Sequence, residues 1–415
     1  MEILSSLYSK EIWQEFLQYK TEKQHILKTE QKKLAEYIRG GRYLPVLDTM
    51  KESDYRCPDP VKKEINKGGV SKKRVVYSFP EDFSNVLKII AWQLYKYDNL
   101  FADNCYAFRR NHGVRYAMKW ILRTKDISSK YCLKVDISNY FNSIDVPLLL
   151  KKLVFLKGED AALYRLFETM LSADEAWENG QLITEKRGAM AGTPVSPFFA
   201  NVYLMDVDRY FEERGVLYFR YSDDILIFAN SLEELQEYGQ ILYRKIEEHH
   251  LRLNPAKVHI SAPGESWEFL GFCYDQGEID LSANTIQKMK DKIRRKAKAL
   301  RRWQSRKGLT GEKAAKGFIK AMNHKFYDSG DGTEFSWSRW FFPNLTTDRG
   351  LREIDCYMQQ YIRYCVTGRH YKGNFRISYE QLKEWGYRNL VHEFYDTRVK
   401  RSELVPACRI RVLTC

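Results

Sequence analysis

Leu217-Tyr218-Phe219-Arg220-Tyr221-Ser222-Asp223-Asp224-Ile225-Leu226-Ile227-Phe228 is the stretch on which the fold turns. Two adjacent carboxylates stand between apolar, β-prone runs. Aspartate tolerates turn geometry and the flanks suit buried strands, so the pattern predicts a hairpin with the Asp pair at its tip. An ordinary solvated turn would use the same residues. Upstream, Leu133-Lys134-Val135-Asp136-Ile137-Ser138-Asn139-Tyr140-Phe141 places Asp136 at the end of a β-prone run that begins near Tyr131. A lone Asp there would be a cap or turn residue. With Asp223 and Asp224 it is expected to complete three carboxylates converging from two strand ends. Such a set can hold two Mg²⁺ ions, which prefer oxygen ligands and bind few protein carboxylates alongside substrate phosphates. Ions held in this way can activate a hydroxyl and stabilise leaving pyrophosphate in an in-line displacement.

Further blocks flank these in order. Upstream stand Ser71-Lys72-Lys73-Arg74-Val75-Val76-Tyr77-Ser78-Phe79-Pro80 and Tyr106-Ala107-Phe108-Arg109-Arg110. Gly192-Thr193-Pro194-Val195-Ser196-Pro197 precedes the Asp pair; Leu253-Asn254-Pro255-Ala256-Lys257 and Phe269-Leu270-Gly271-Phe272 follow it. The ordered set resembles the reverse transcriptases, in the bacterial group II intron and retron-like form, over roughly residues 60–300. Two positions depart from that pattern: Ala107 replaces a glycine, and Ala191 replaces the glutamine that usually precedes the loop glycine.

The resemblance implies an α/β right-hand polymerase of fingers, palm and thumb with a helical C-terminal extension. The expected parts are an N-terminal helical segment (1–43), fingers (44–130), palm (131–275), a thumb-like basic helix region (276–310) and the extension (311–415). It implies that Asp136, Asp223 and Asp224, with Ile137, would hold Mg²⁺. Lys72, Lys73, Arg74, Phe141 and Gly192 would meet the incoming nucleotide, and Lys257 would protonate pyrophosphate. Arg109, Ser196, Pro197 and Tyr221 would lie along template and primer. So would Phe269, Leu270 and Gly271 of the primer grip, and Lys292 and Arg295 of the thumb.

The same residues have a reading in plain chemistry. Lys72, Lys73 and Arg74 precede an apolar strand and could reach a triphosphate as point charges and a guanidinium fork, or form a solvated basic turn. Gly192 and Pro194 suit a tight loop where backbone approaches a base pair closely, or a structural turn before a helix beginning near Pro197. Lys257 is a candidate general acid or a surface lysine. Phe141 lies five positions after Asp136, where the family places a ring beside the sugar. A ring there would clash with a 2′-hydroxyl and leave it unpaired, which favours dNTPs over ribonucleotides. Phe141 as simple core is the alternative, with Tyr140 as neighbouring fallback.

Composition agrees. The 415 residues carry a formal charge of +14, which favours a polyanionic partner, and 14% aromatics, which serve core packing or base stacking. No apolar run is long enough to span a bilayer and Met1 to Gln14 lacks a signal-peptide pattern, so a cytoplasmic protein without membrane contact is expected. Eight cysteines without a CxxC pair indicate neither a zinc ribbon nor a disulfide scaffold.

Along the chain, residues 1–40 read as helix ending at Gly40-Gly41, with Trp13, Phe16 and Leu17 on an apolar face. A palm helix is expected from Leu232 to His250. From Ile286 to Arg306 the chain is strongly basic, while Met289, Ile293 and Ala297 continue one apolar stripe. That helix could present its basic face to a template–primer duplex or simply be solvated. Lys307 to Glu312 reads as a hinge. Helices are expected at Leu351 to Tyr364, at Tyr379 to Gly386 and from Arg388 to Tyr395. This tail is similar to the extensions of intron maturases and of the unknown-group, defence-linked bacterial reverse transcriptases. The expectation is an RNA-directed DNA polymerase that copies a dedicated structured non-coding RNA into cDNA in antiphage defence, using dNTPs. An intron maturase-like enzyme, a template-independent or protein-primed polymerase, a non-catalytic RNA scaffold and a homo-oligomer all stay open.

Overall fold

The hairpin around the Asp pair forms. In the computed structural model, which describes residues 2–24, 26–52, 54–66, 73–110, 112–327 and 336–403, eleven strands follow in chain order. They are β1 (Val61–Asn66), β2 (Lys73–Ser78), β3 (Tyr131–Asp136), β4 (Glu175–Glu178), β5 (Gln181–Thr184) and β6 (Leu217–Tyr221). After these come β7 (Asp224–Ala229), β8 (His259–Ser261), β9 (Trp267–Phe269), β10 (Phe272–Asp275) and β11 (Glu278–Leu281). The chain divides into two units, residues 1–270 and 271–415. Lys72 lies outside the described residues.

In the first unit, β6, β7, β3 and β8 form an antiparallel sheet in the order β6-β7-β3-β8. Both faces of β7 are covered, which is why its sequence reads as a continuous apolar run and not as an alternation. On one face lies the Leu232–Glu248 helix. Ser231 caps it by accepting from the Glu234 N–H, and Gly239 lets it approach Leu133 closely. On the other face, Phe228 meets Trp267 and Phe219, and Phe219 stacks on Tyr106 at 5.7 Å. The expected helix ends two residues earlier than its pattern, at Glu248.

A second sheet has the order β2-β1-β4-β5, with β1 and β2 antiparallel and β1 and β4 parallel. It thus joins the basic hairpin to residues 175–184 from the segment expected to be palm. A contact of this sequence separation leaves no local signal. The N-terminal segment is helical, as Ile3–Ser6, Lys10–Glu22 and Lys28–Arg39, and Tyr43–Thr49 follows as a further helix. Trp13 and Phe16 are buried as the apolar face requires, and Trp13 stacks on Tyr43 at 4.6 Å. Asp160, fully buried, accepts from the N–H groups of Ile3 and Leu163 and so fastens the start of the chain to the Ala161–Ser172 helix. One hydrophobic core extends from Ile3 to Leu251.

The second unit opens with the β10–β11 hairpin and continues as helices. The basic helix is longer than its pattern, Ala283–Lys307, capped by Ser282 and stopped by Gly308 in the left-handed conformation. Met289, Ile293 and Ala297 form its buried stripe. It packs with Gly311–Phe326 and Arg349–Thr367. In the region read as a hinge, Gly311 lies close against the Arg349–Thr367 helix, and a Cβ there would stand 2.2 Å from the Val366 carbonyl oxygen. The remaining expected helices form at Tyr379–Glu384 and Leu390–Glu403.

Candidate active site

Register brings the carboxylates to one end of the sheet. Asp136 is opposite Asp224 across β3 and β7, and Tyr221 is opposite Asp224 across β6 and β7, leaving Ser222 and Asp223 as the two-residue turn. Ser222 has φ of 61°, a conformation that non-glycine residues adopt at a cost and that two-residue hairpins favour. Ile137 enters through its backbone: its side chain is buried and its N–H donates to the Asp223 carbonyl at 2.9 Å.

The site is electrostatically loaded. Burial, then the charge of Asp136, raises Asp223 above the usual carboxylate range, while Lys257 and Arg74 pull it down. Burial pushes Asp224 up to about 6, with Lys134 opposing and the other two aspartates adding to the rise. Lys257 is ion-paired to Asp136 Oδ1. The turn that carries Lys257 is also fastened to Asp136 by backbone, the Asn254 N–H donating to the Asp136 carbonyl at 2.8 Å.

The three carboxylates do not close into a cage. Among the described residues, no group of three Asp, Glu, His or Cys side chains is arranged to hold a metal ion by itself. The expected convergence at the strand ends is present in the register, with Lys257 paired to Asp136 at one edge. The donor set nonetheless fits a hard cation whose shell is finished by other oxygens. All three groups are oxygen donors, and Asp224 Oδ1 is buried without a hydrogen-bond partner.

Around the carboxylates, Arg74 of β2 is exposed and acts electrostatically on Asp223, whereas the Lys73 ammonium is bound to Glu64 at 2.6 Å. Phe141 is half-buried and meets Phe108 edge-on at 6.2 Å; Phe108 in turn meets Tyr221 at 6.1 Å. Tyr140, the fallback for Phe141, is core, its hydroxyl donating to the Ala200 carbonyl. Gly192, at φ of 100°, approaches β2: a Cβ there would lie 3.1 Å from the Tyr77 carbonyl oxygen and from Val76 Cβ.

Several expected template and primer residues are committed within the protein. Arg109 donates to the carbonyls of Ala102, Cys105 and Asp98, which makes its guanidinium a clamp on its own loop. Ser196 is 2% exposed and donates to the Thr193 carbonyl, while Pro197 is half-buried. Phe269 is fully buried, so its ring is core, and Leu270 beside it meets the Asp224 carboxylate through backbone. Gly271 belongs to the second unit, where its carbonyl accepts from Ser282 N–H and the Thr285 hydroxyl. Lys292 and Arg295, also in the second unit, line a recess with Lys296 and Lys325. Burial, then the charges of Lys325, Arg295 and Lys288, pulls Lys292 below the ordinary lysine range.

Two supports of the site have no motif. Asn142 accepts from the Ala191 N–H at 2.8 Å and donates to the Val75 carbonyl at 3.2 Å, tying the Gly192 loop to β2 beside Phe141. Behind the turn, fully buried Arg220 is paired with fully buried Asp208 and donates to the Ser222 carbonyl at 3.3 Å. Tyr218 adds its hydroxyl to Asp208 at 3.0 Å. An arginine inside an apolar run was the only signal available for this pair.

Comparison with known proteins bears on the whole arrangement. The family pattern of Reverse transcriptase (RNA-dependent DNA polymerase) matches residues 62–274. The Retron Ec86 reverse transcriptase of Escherichia coli is 25% identical over 174 residues, 41% of this chain and 50% of that protein. The group II intron-encoded protein LtrA of Lactococcus lactis subsp. cremoris is 27% identical over 169 residues, 40% of this chain and 27% of that protein. The matched region thus spans half or less of the length of these curated relatives. A structure of telomerase from Candida albicans with a fragment of telomeric RNA is 13% identical over 86% of this chain and 66% of that one, with a TM-score of 0.45.

Proposed function

Because this chain belongs to the reverse transcriptase family and has its α/β right-hand polymerase fold, we propose that it polymerises dNTPs on an RNA template at Asp136, Asp223 and Asp224. The observation that carries this reading is the register: Asp136 opposite Asp224, with Asp223 on the intervening turn and Arg74 acting on it. Bound Mg²⁺ would supply activation of the primer 3′-hydroxyl and neutralisation of the triphosphate. The protein's own residues do the rest. Arg74 orients the triphosphate, with Lys72 and Lys73 as further cations of the same block. Phe141 closes the space that a 2′-hydroxyl would need. Lys257, paired with Asp136 here, would donate its proton to pyrophosphate once released from that carboxylate.

The finer reading is a dedicated, structured non-coding RNA as template, copied into cDNA in antiphage defence, inside the cytoplasm. Similarity to a retron reverse transcriptase supports the dedicated template. Similarity to a group II intron-encoded protein supports a second reading, an enzyme that assists its own intron RNA. Sequencing the RNA and DNA bound to the protein expressed with its native flanking DNA separates them, with Asp223→Ala, Asp224→Ala as control. DNA complementary to one enriched RNA, lost in the control, is the expected result. Enriched intron RNA without dependent DNA would favour the second reading, and DNA matching no RNA would overturn templated synthesis.

A further inference from the structure

Outside the residues matched by the family pattern, the second unit carries a surface that the polymerase reading does not use. The Arg349–Thr367 helix ends at Gly368 in the left-handed conformation and is followed by Arg369-His370-Tyr371-Lys372-Gly373-Asn374-Phe375-Arg376. Tyr371 is 56% exposed and Phe375 75% exposed. Large rings left this open on a loop contribute little to folding. The loop is nevertheless fixed. Buried Asn374 donates to the Arg369 carbonyl at 2.7 Å and accepts from the Thr367 hydroxyl at 2.8 Å. Gly373 leaves room for the Tyr371 ring, which would stand 2.3 Å from a Cβ there. The Arg363 guanidinium lies 5.5 Å over the Phe375 ring and donates to the Ile377 carbonyl at 2.9 Å. His370 stacks on Tyr364 at 4.7 Å and 13°.

The charge around these rings has one sign. Arg369, Lys372 and Arg376 are exposed, and no Asp or Glu occurs from 369 to 379. The basic helix adds to it. Arg301 reaches the carbonyls of Cys365 and Val366 and lies against Gly368, and it lines a recess of about 450 Å³ with Arg302, Ser305 and Arg306. Exposed, pre-positioned rings interleaved with cations that have no ion pair among the described residues are what a flexible polyanion with planar bases requires. A duplex hides its base faces and would leave the rings unused.

We propose that this loop is a second polynucleotide site, in which Tyr371 and Phe375 stack unpaired bases while Arg302, Arg306 and Lys372 hold the phosphates. The proposal rests on the reading that the chain handles RNA and DNA, and it assigns the C-terminal unit a grip on a single-stranded segment. That segment is either unpaired RNA or newly made DNA, which share the chemistry.

The test uses the full chain carrying Asp223→Ala, so that no synthesis intervenes, and two 12-nucleotide probes, one RNA with 5-bromouridine and one DNA with 5-bromodeoxyuridine. Photo-cross-linked peptides are mapped, and affinities are compared with those of a chain that also carries Tyr371→Ala and Phe375→Ala. Expected are cross-links within residues 368–376 and about tenfold weaker binding of the preferred probe in the double variant. The tighter of the two probes identifies the source. The variant with Tyr371→Ala and Phe375→Ala should unfold in urea at the same midpoint as the chain without them, which shows that it folds. Cross-links confined to residues 62–274 with unchanged affinity would overturn the site, as would equal competition by a blunt duplex. Should the parent fail to polymerise while these cross-links persist, the polymerase reading falls and the site stands.

Discussion

Asp208 and Arg220 support the turn that bears the carboxylates, and both are fully buried. Removing one partner of such a pair leaves an uncompensated charge in the core, so Asp208→Asn should cost about 3–5 kcal/mol of stability in urea unfolding. A loss below about 1 kcal/mol would mean that Arg220 finds another partner. Phe141 makes a different prediction. Phe141→Ala should raise ribonucleotide incorporation relative to dNTP about ten- to a hundredfold while the fold persists, and an unchanged ratio would show that another group reads the sugar. At this scale the sequence was uneven. The aspartates stood out by residue type at two strand ends, whereas Phe141 was singled out through the family resemblance. The role of Arg109 was not legible, because three carbonyls that only the folded loop assembles decide what its guanidinium does. The ion pair of Lys257 with Asp136 likewise spans 121 positions, beyond any local pattern.

Between elements, the Asn142 side chain joins β2 to the loop before Gly192, and the neighbouring Phe141 carbonyl accepts from the Ala189 N–H. A Cβ on Gly188 would stand 2.6 Å from the Phe141 carbonyl oxygen, and the residue has φ of 56°. Gly188→Ala should therefore shift Phe141 and lower polymerisation more than Gly180→Ala, whose added methyl meets nothing within 4 Å although its φ is also positive. Equal activities would show that the segment yields freely. A second junction titrates. Asp206, on the Met205–Glu213 helix, meets Lys152 and His249. Burial works to raise its carboxyl, but the hydrogen bonds from His249 and Lys152 outweigh it and hold the group below the usual range. A depressed folded-state value stabilises above the unfolded carboxylate pKa of about 3.9, and that stabilisation is lost as pH falls toward the folded value. The stability gap between the parent and Asp206→Asn should therefore be present at pH 7 and shrink on acidification below about pH 4, though solvent screening keeps it modest. A gap constant with pH would remove the ion pair from the account. Helices with one apolar stripe, such as the basic one over Met289, Ile293 and Ala297, were legible from periodicity. The β1–β4 pairing was not, because parallel partners more than a hundred residues apart are chosen by the assembled fold.

For the whole molecule, a formal charge of +14 and the basic recesses of the second unit make polynucleotide binding salt-dependent. If several phosphates are neutralised, log affinity for a primed template should fall against log salt with a slope steeper than about −3. A slope near zero would mean that the charge serves another end. The central claim is that the register of Asp136, Asp223 and Asp224 makes a templated DNA polymerase. Primer extension on an RNA template with dNTPs and Mg²⁺, comparing the parent chain with Asp223→Asn, tests it most directly. The account predicts extension complementary to the template by the parent and loss by about a thousandfold or more in the variant. Undiminished extension by Asp223→Asn, or none by a folded parent that binds the primed template, would contradict it.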